Sequence, residues 1–278
     1  MLKILLDDFL KQALLEDNGR GDLYYLLSDK KIVKTRVIAK DSGILSGEIY
    51  ITRLCELVGV DCEFLIHDSN EFKSGDIILN ISGLDRDILS IERVLLNILQ
   101  HSSGIATNAN KYAKKLQNTK CKILDTRKTR PLLREFEKYS SKQGGIVNHR
   151  LGLDDCLMLK DTHMANISNL KEFVEKAKSK IPWTSKIEVE CEDIRFFKEA
   201  LSSGVDIIMC DNMQIDDIIK CVRLRNDIAP HVLIEASGNI TLDNILEYAN
   251  SGIDAISSGS IIHQARWIDL SMKFIDER

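Results

Sequence analysis

Between positions 121 and 163 the chain gathers Arg127, Lys128, Arg130, Arg134, His149, Arg150, Lys160 and His163 into one window. Arg127 and Lys128 follow the apolar run Ile123-Leu124-Asp125-Thr126, and Lys160 follows Cys156-Leu157-Met158-Leu159. Charges are scarce at the ends of buried strands unless something pairs with them. Arg127, Lys128, Arg150 and Lys160 therefore read as fixed cations for a small polyanion, with the guanidinium groups able to grip a carboxylate or phosphate through two parallel hydrogen bonds. Arg134, Lys138 and Lys142 read differently. They share a helical pattern with Glu135 and Glu137 and are expected on a solvated helix face.

Further along, two carboxylates close strand-like runs, Glu190 after Lys186-Ile187-Glu188-Val189 and Asp211 after Ile207-Ile208-Met209-Cys210. Strand alternation puts Glu188 and Glu190 on the same face, so pattern alone does not choose between them. Two late loops, Glu235-Ala236-Ser237-Gly238-Asn239 and Ser257-Ser258-Gly259-Ser260, place glycine among small polar residues before helix-compatible segments. Main-chain N–H groups in such loops can approach a phosphate closely. His263 reads either as a contact to that phosphate or as a surface residue.

The elements that must position these groups change character along the chain. Apolar positions from Leu2 to Leu14 have helical spacing and end at the breaker Asp17-Asn18-Gly19. From about 33 to 83, short β-rich runs flank a helical Glu48 to Val60, which suggests a smaller α+β domain. Residues 87 to 117 read as one or two helices with Ile91, Val94, Leu95, Ile98 and Leu99 on a buried stripe. By periodicity Arg93 is then a surface charge. After 120, strand-like runs recur at 122 to 125, 156 to 159, 186 to 190, 205 to 210, 232 to 236 and 254 to 257, and most gaps hold an amphipathic helical stretch. Repeated βα units without a Rossmann glycine fingerprint favour an α/β barrel over an open doubly wound sheet. In a barrel the strand C-termini converge on one face, which would gather Arg127, Lys128, Lys160, Glu190, Asp211, Ser237 and Ser258 at one rim.

Composition narrows the partner. With 44% hydrophobic and 29% charged residues over 278 positions, the chain is an ordinary globular protein of one or two domains. Its formal net charge of −4 makes the basic window a local feature, which argues against general nucleic-acid or membrane-surface binding. Seven cysteines without a CxxC pair suit buried thiols in a reducing cytosol. Asp7 and Asp8 interrupt any apolar leader, and no stretch reaches the roughly 18 apolar residues of a membrane span. A cytoplasmic location is expected.

Asp125-Thr126-Arg127-Lys128-Thr129, Asn148-His149-Arg150-Leu151-Gly152-Leu153-Asp154-Asp155 and Leu159-Lys160-Asp161-Thr162-His163 together resemble, in order and spacing, the signature of the quinolinate phosphoribosyltransferases of de novo NAD synthesis. The resemblance runs from Glu16-Asp17 and Gly21-Asp22, through Gly75-Asp76, to Ala265-Arg266-Trp267-Ile268-Asp269-Leu270. It implies an incomplete (open) C-terminal α/β barrel, residues 105 to 265, and an N-terminal α+β sandwich-like domain, residues 1 to 104, rejoined by the tail from about 266 to 278. It also implies a homodimer, with higher assembly left open, in which Arg93 reaches the neighbouring subunit's site. The substrates would be quinolinate and phosphoribosyl pyrophosphate, with Mg2+ and no organic cofactor.

On that reading Arg127, Arg150, Lys160, His149 and the partner's Arg93 bind the dicarboxylate. Lys128, Ser237, Gly238, Asn239, Ser258, Gly259, Ser260 and His263 serve the phosphoribosyl portion, and Thr126 is a further substrate-binding residue. The resemblance favours Glu190 over Glu188. It assigns Lys128, Glu190 and Asp211 as catalytic, with the two carboxylates stabilising the oxocarbenium-like state and standing as candidate ligands for the metal. Two departures stand out. Arg130 precedes Pro131 where a small residue is frequent, and Asn239 replaces a frequent second glycine, which leaves open how closely that loop approaches phosphate. Two alternatives carry other functions: a fold-sharing paralogue linked to molybdenum transport, and an anion- or RNA-binding module. The intact Asp125-Thr126-Arg127-Lys128-Thr129 and Leu159-Lys160-Asp161 weigh against the first, and the acidic net charge with no aromatic stacking set in the basic window weighs against the second.

Overall fold

A computed structural model describes residues 3 to 275; Leu2 and residues 276 to 278, which fall in the expected first helix and tail, lie outside it. In chain order the first elements are α1 (Lys3–Asn18), a short 3-10 turn (Leu23–Leu26), β1 (Ile32–Ala39), β2 (Gly43–Ile44), α2 (Glu48–Val58), β3 (Asp61–Phe64), β4 (Glu71–Phe72), β5 (Ile77–Leu84) and the long α3 (Asp85–Leu116). They continue with β6 (Lys122–Leu124), α4 (Arg134–Gln143), β7 (Cys156–Leu159), α5 (Asp161–Met164), α6 (Leu170–Lys178), β8 (Lys186–Cys191) and α7 (Ile194–Ser202). The last are β9 (Ile207–Asp211), α8 (Ile215–Ile228), β10 (Leu233–Ser237), α9 (Ile245–Asn250), β11 (Ala255–Ser257), α10 (Ser260–His263) and β12 (Leu270–Phe274). Two compact units result. One holds 3 to 110, 135 to 145 and 264 to 275, and the other holds 111 to 134 and 146 to 263.

The first unit is built on an antiparallel sheet in the order β12-β1-β5-β3. Alternation decides which face of β1 is covered: Thr35, Val37 and Ala39 are buried while their neighbours are not. That face meets Leu79 and Ile81 of β5, the α3 stripe of Ile88, Ile91, Leu95 and Leu99, and Tyr50 and Leu54 of α2. Burying an apolar stripe of that kind is worth about 1.5–3 kcal/mol per large side chain, and this stabilises α3 where its mixed composition would not. Gly59 ends α2 in the left-handed region at φ 76, a position that a residue with a Cβ adopts only at a cost. The tail lies along α3, with Ile268 N donating to Gln100 O at 3.1 Å and Gln100 Nε2 to Leu270 O at 2.9 Å. A Cβ on Gly104 would fall 2.2 Å from the Arg266 carbonyl oxygen, so this approach requires glycine.

Helix α4 corrects two expectations. Residues 105 to 265 were assigned to the barrel, yet 135 to 145 belong to the first unit. The cause is aromatic. Phe136 is buried, stacked on Phe9 at 5.6 Å and edge-on to Tyr50 at 5.0 Å. With Phe136 inside, the solvated face expected for Lys138 and Glu137 is lost as well, since both are buried. Glu137 pairs with His101 at 3.2 Å, and His101 stacks on Trp267. Glu135 and Lys142 keep the exposed positions expected of them, and Arg134 is half-buried.

The second unit is a six-stranded parallel sheet in the order β6-β11-β10-β9-β8-β7. Each strand from β7 to β10 pairs with the next in sequence, and β11 then pairs with β6, the first of the set. A doubly wound sheet would reverse direction at its middle strand. This order instead runs round a barrel that is open between β6 and β7, as an incomplete α/β barrel requires. On the open side of β6, Leu124 makes a single parallel bridge to Val147. The barrel strands end where the sequence placed them to within two residues, because their bounds are set by continuous apolar runs such as Ile207-Ile208-Met209-Cys210, all half-buried or buried.

Candidate active site

The C-terminal strand ends of the second unit surround a cavity of about 530 Å³. It is lined by Thr126, Arg127 and Lys128 after β6, His149 and Arg150 before β7, Met158 and Lys160 at the end of β7, and Glu190 on β8. Met209, Asp211 and Asn212 follow from β9, with Ser237, Gly238, Asn239 and Ser257 from the ends of β10 and β11. Four fixed cations, Arg127, Lys128, Arg150 and Lys160, thus share one mouth with two carboxylates, Glu190 and Asp211.

The segments that carry these cations are tied to one another. Lys128 N donates to Thr126 Oγ1 at 3.0 Å, closing a tight turn after β6. Asp125, fully buried, accepts from Asn148 Nδ2 at 2.6 Å and from His149 N at 2.9 Å, so the DTRKT and NHR segments are tied together from beneath. Arg150 Nη1 donates to the Cys156 carbonyl at 2.8 Å. Lys160 Nζ donates to Glu190. Arg127 Nε is buried with no hydrogen-bond partner among the described residues, and burial, followed by the charges of Arg150 and Arg134, pushes its guanidinium below the ordinary arginine value. Crowded like charges of this sort are relieved by an arriving anion.

The alternation argument on β8 resolves by depth. Glu190 lines the cavity, whereas Glu188, on the same face, lies fully buried beneath it against His149. The opposing effects on His149 are burial, which disfavours its charge, and the carboxylates of Glu188 and Glu235, which outweigh burial and raise its pKa to about 10. Burial, then the Glu235 charge, also raises Glu188. The Arg150 N–H donates to Nδ1 at 2.7 Å, a contact only an unprotonated nitrogen can accept. The ring proton therefore sits on Nε2, and the additional proton retained by the cluster belongs on its carboxylate side.

The phosphate-type loop behaves as its glycine suggests. Gly238 has φ 89, and a Cβ there would meet Asn212 Oδ1 at 2.2 Å. Asn239, where the resemblance expects glycine, takes the left-handed φ of 51 that asparagine tolerates and donates through Nδ2 to Asn212 Oδ1 at 2.9 Å.

Five of the expected site residues do not line this cavity. Arg93 is exposed on α3 in the first unit. Ser258 and Ser260 engage one another at 2.7 Å, with Tyr112 OH bonded to Ser260 at 2.8 Å, which turns those hydroxyls inward. Gly259 and His263 stand behind Lys128: a Cβ on Gly259 would fall 2.7 Å from Lys128 Cδ. Ser257, the last residue of β11, lines the cavity where Ser258 was expected. Met158, Met209 and Asn212 were missed. The methionines look like plain strand core in sequence, and nothing in the pattern marks them.

Mg2+ is implied by the resemblance, and the donor set can be tested against it. Glu190 already shares an oxygen with Lys160, and Asp211 accepts from Asn212 Nδ2 at 2.7 Å. Two hard carboxylates short of a closed cage suit Mg2+, which keeps several waters and takes further ligands from substrate phosphates.

A parallel α/β barrel with a cationic, carboxylate-edged pocket at its strand ends defines an enzyme acting on small polyanions. Residues 22–103 match the N-terminal domain, and residues 105–273 the C-terminal domain, of quinolinate phosphoribosyl transferase. The chain is 37% identical to the probable carboxylating nicotinate-nucleotide pyrophosphorylase of Synechocystis sp., covering 98% of this chain and 93% of that protein. It is also 37% identical to the probable enzyme of the same name from Methanocaldococcus jannaschii, over 99% of each. The solved nicotinate-nucleotide pyrophosphorylase of Francisella tularensis superposes with a TM-score of 0.93 at 31% identity, covering 99% of this chain and 98% of that one. The chain belongs to the quinolinate phosphoribosyl transferase family.

Proposed function

We propose that the chain transfers the phosphoribosyl group of phosphoribosyl pyrophosphate to the ring nitrogen of quinolinate, giving nicotinate mononucleotide, pyrophosphate and carbon dioxide in de novo NAD synthesis. The observation that carries this reading is the convergence of Arg127, Lys128, Arg150 and Lys160 with Glu190 and Asp211 around one cavity. A dicarboxylate beside a pyrophosphate brings several negative charges into one space, and their desolvation is offset only by fixed, hydrogen-bonding cations.

Arg127, Arg150 and Lys160 hold the two carboxylates, and Lys128 with the Ser237-Gly238-Asn239 turn takes the phosphates. The C–O bond to pyrophosphate breaks as the pyridine nitrogen bonds to the anomeric carbon, and Glu190 and Asp211 stabilise the positive charge that develops there. The carboxylate next to the pyridinium then leaves as carbon dioxide, its electron pair staying on the ring carbon, which takes a proton. Glu190 and Asp211 would hold Mg2+ together with the pyrophosphate, where the ion would offset the leaving group's charge. The chain's own contribution is orientation and electrostatics. A homodimer in which Arg93 of one subunit completes the other's pocket agrees with the exposure of Arg93 on α3. A cytoplasmic setting agrees with seven free cysteines and with the lack of any helix, among the described residues, long and apolar enough to cross a membrane.

The test is to mix purified protein with quinolinate, phosphoribosyl pyrophosphate and Mg2+, and to follow nicotinate mononucleotide and carbon dioxide. Product from nicotinate but not from quinolinate would reject the reading.

A further inference from the structure

His149 is engaged at both ring nitrogens. Its Nε2 lies 3.2 Å from Glu235 Oε2 and 3.4 Å from Glu188 Oε2, and its Nδ1 accepts the Arg150 main-chain N–H at 2.7 Å. The contacts run on from there, since Arg150 Nη1 donates to the Cys156 carbonyl. Glu188 and Glu235 are 0% and 2% exposed, and the Oε1 atom of each has no hydrogen-bond partner among the described residues. Two buried carboxylates with half their oxygens unpaired are costly, and neither lines the cavity. A cost of this kind needs a purpose.

A neutral imidazole has two tautomers, and here they are not equivalent. With the proton on Nδ1, two N–H donors would face each other at the Arg150 main chain, and the Nε2 lone pair would face two carboxylates. With the proton on Nε2, the ring donates to the carboxylates and accepts from Arg150. The glutamates thus select the one tautomer that can hold the Arg150 backbone. Two further contacts lie beside the ring without touching it: Asp125 accepts the His149 main-chain N–H at 2.9 Å, and Cys156 Sγ donates toward Glu188 Oε2 at 3.9 Å.

We infer that Glu188 and Glu235 are positioning residues for dicarboxylate recognition: they lock His149 as the Nε2–H tautomer, whose Nδ1 anchors the main chain of Arg150 beneath the substrate carboxylates. This rests on the proposed function, because it takes the cavity's anion to be quinolinate. The three side chains also place ligand atoms within 4.8 Å of one another, close enough for a metal ion; a bound metal would displace the Nε2 proton and is a distinct outcome.

The test uses the full-length chain. 15N spectra of histidine-labelled protein at neutral pH should show His149 with Nε2 protonated and Nδ1 bare. Glu188→Gln and Glu235→Gln should each raise the KM for quinolinate roughly tenfold, leave the KM for phosphoribosyl pyrophosphate within about twofold, and keep cooperative melting. In a His149→Asn background, adding Glu188→Gln should change the quinolinate KM no further, because the carboxylate acts through the ring. A proton on Nδ1 in the wild type, unchanged quinolinate KM in both glutamine variants, equal rises for both substrates, or a stoichiometric metal lost in Glu235→Gln would each overturn the inference. Should one variant fail to fold, the wild-type spectrum and the other variant still decide. Wild-type protein that forms no nicotinate mononucleotide would reject the proposed function and this inference together, whereas normal wild-type turnover with any of those outcomes rejects this inference alone.

Discussion

Lys160 Nζ donates to Glu190 Oε2, joining the end of β7 to the end of β8 across the cavity mouth. The lysine side chain remains 42% exposed while the glutamate is 10% exposed, so the ammonium can swing to an incoming anion and the carboxylate stays where it is. Removing either partner should therefore act differently. Lys160→Ala is expected to lower kcat/KM by at least about 100-fold, since the lost contact is charge-assisted and desolvated. Glu190→Gln should lower kcat with little change in quinolinate KM. Steady-state kinetics with both substrates varied distinguishes the two, and melting curves should stay cooperative in each.

Arg127 carries a buried Nε without a partner among the described residues and is crowded by Arg150 and Arg134. Lysine at this position keeps the charge and loses the planar fork. Arg127→Lys is expected to raise the quinolinate KM roughly 10- to 100-fold. Isothermal titration with quinolinate should show the same loss. An unchanged affinity would remove Arg127 from the dicarboxylate subsite.

Gly238→Ala places a methyl group 2.2 Å from Asn212 Oδ1 at a φ of 89. The strain, about 1–3 kcal/mol, must be relieved by moving the loop. The expected result is a higher KM for phosphoribosyl pyrophosphate with a nearly unchanged KM for quinolinate, read from initial rates. Asn239→Gly, by contrast, should be tolerated, because the backbone there already has glycine's conformation.

The cluster around His149 also sets a pH dependence. Outweighing burial, Glu188 and Glu235 let the cluster keep up to about pH 10 a proton that a free imidazole loses near 6.5, so across that window the folded state binds more protons than the unfolded state. Stability from this source is then fully present below pH 6.5 and is lost as pH rises toward 10. Urea titrations between pH 6 and 10 should show a decline in wild type that is shallower in His149→Gln.

Phe136→Ala should cost about 3–5 kcal/mol, because Phe136 fills the space between Phe9 and Tyr50. Chemical denaturation measures it. A cost below about 1 kcal/mol would mean that α4 is not anchored through this ring.

The sequence by itself determined the barrel strands and most of the cavity's charged groups. Strand cores such as Cys156-Leu157-Met158-Leu159 are continuous apolar runs, and the residue that ends each run surfaces at a common rim in any parallel barrel. Arg127, Lys128, Lys160, Glu190 and Asp211 were therefore legible from local pattern together with one topological rule. What only the tertiary structure decided concerns residues whose neighbours lie far away in sequence. Helix α4 looks amphipathic and solvated along its own length, but the aromatic faces of Phe9 and Tyr50 take it into the first unit and bury Glu137 and Lys138. Likewise Glu188 and Glu190 share a face that strand periodicity cannot divide, and their difference in depth exists only because His149, 39 residues before Glu188, lies over one and not the other. Period records which way a side chain points. Depth, and with it charge state and role, comes from what the rest of the chain puts on top.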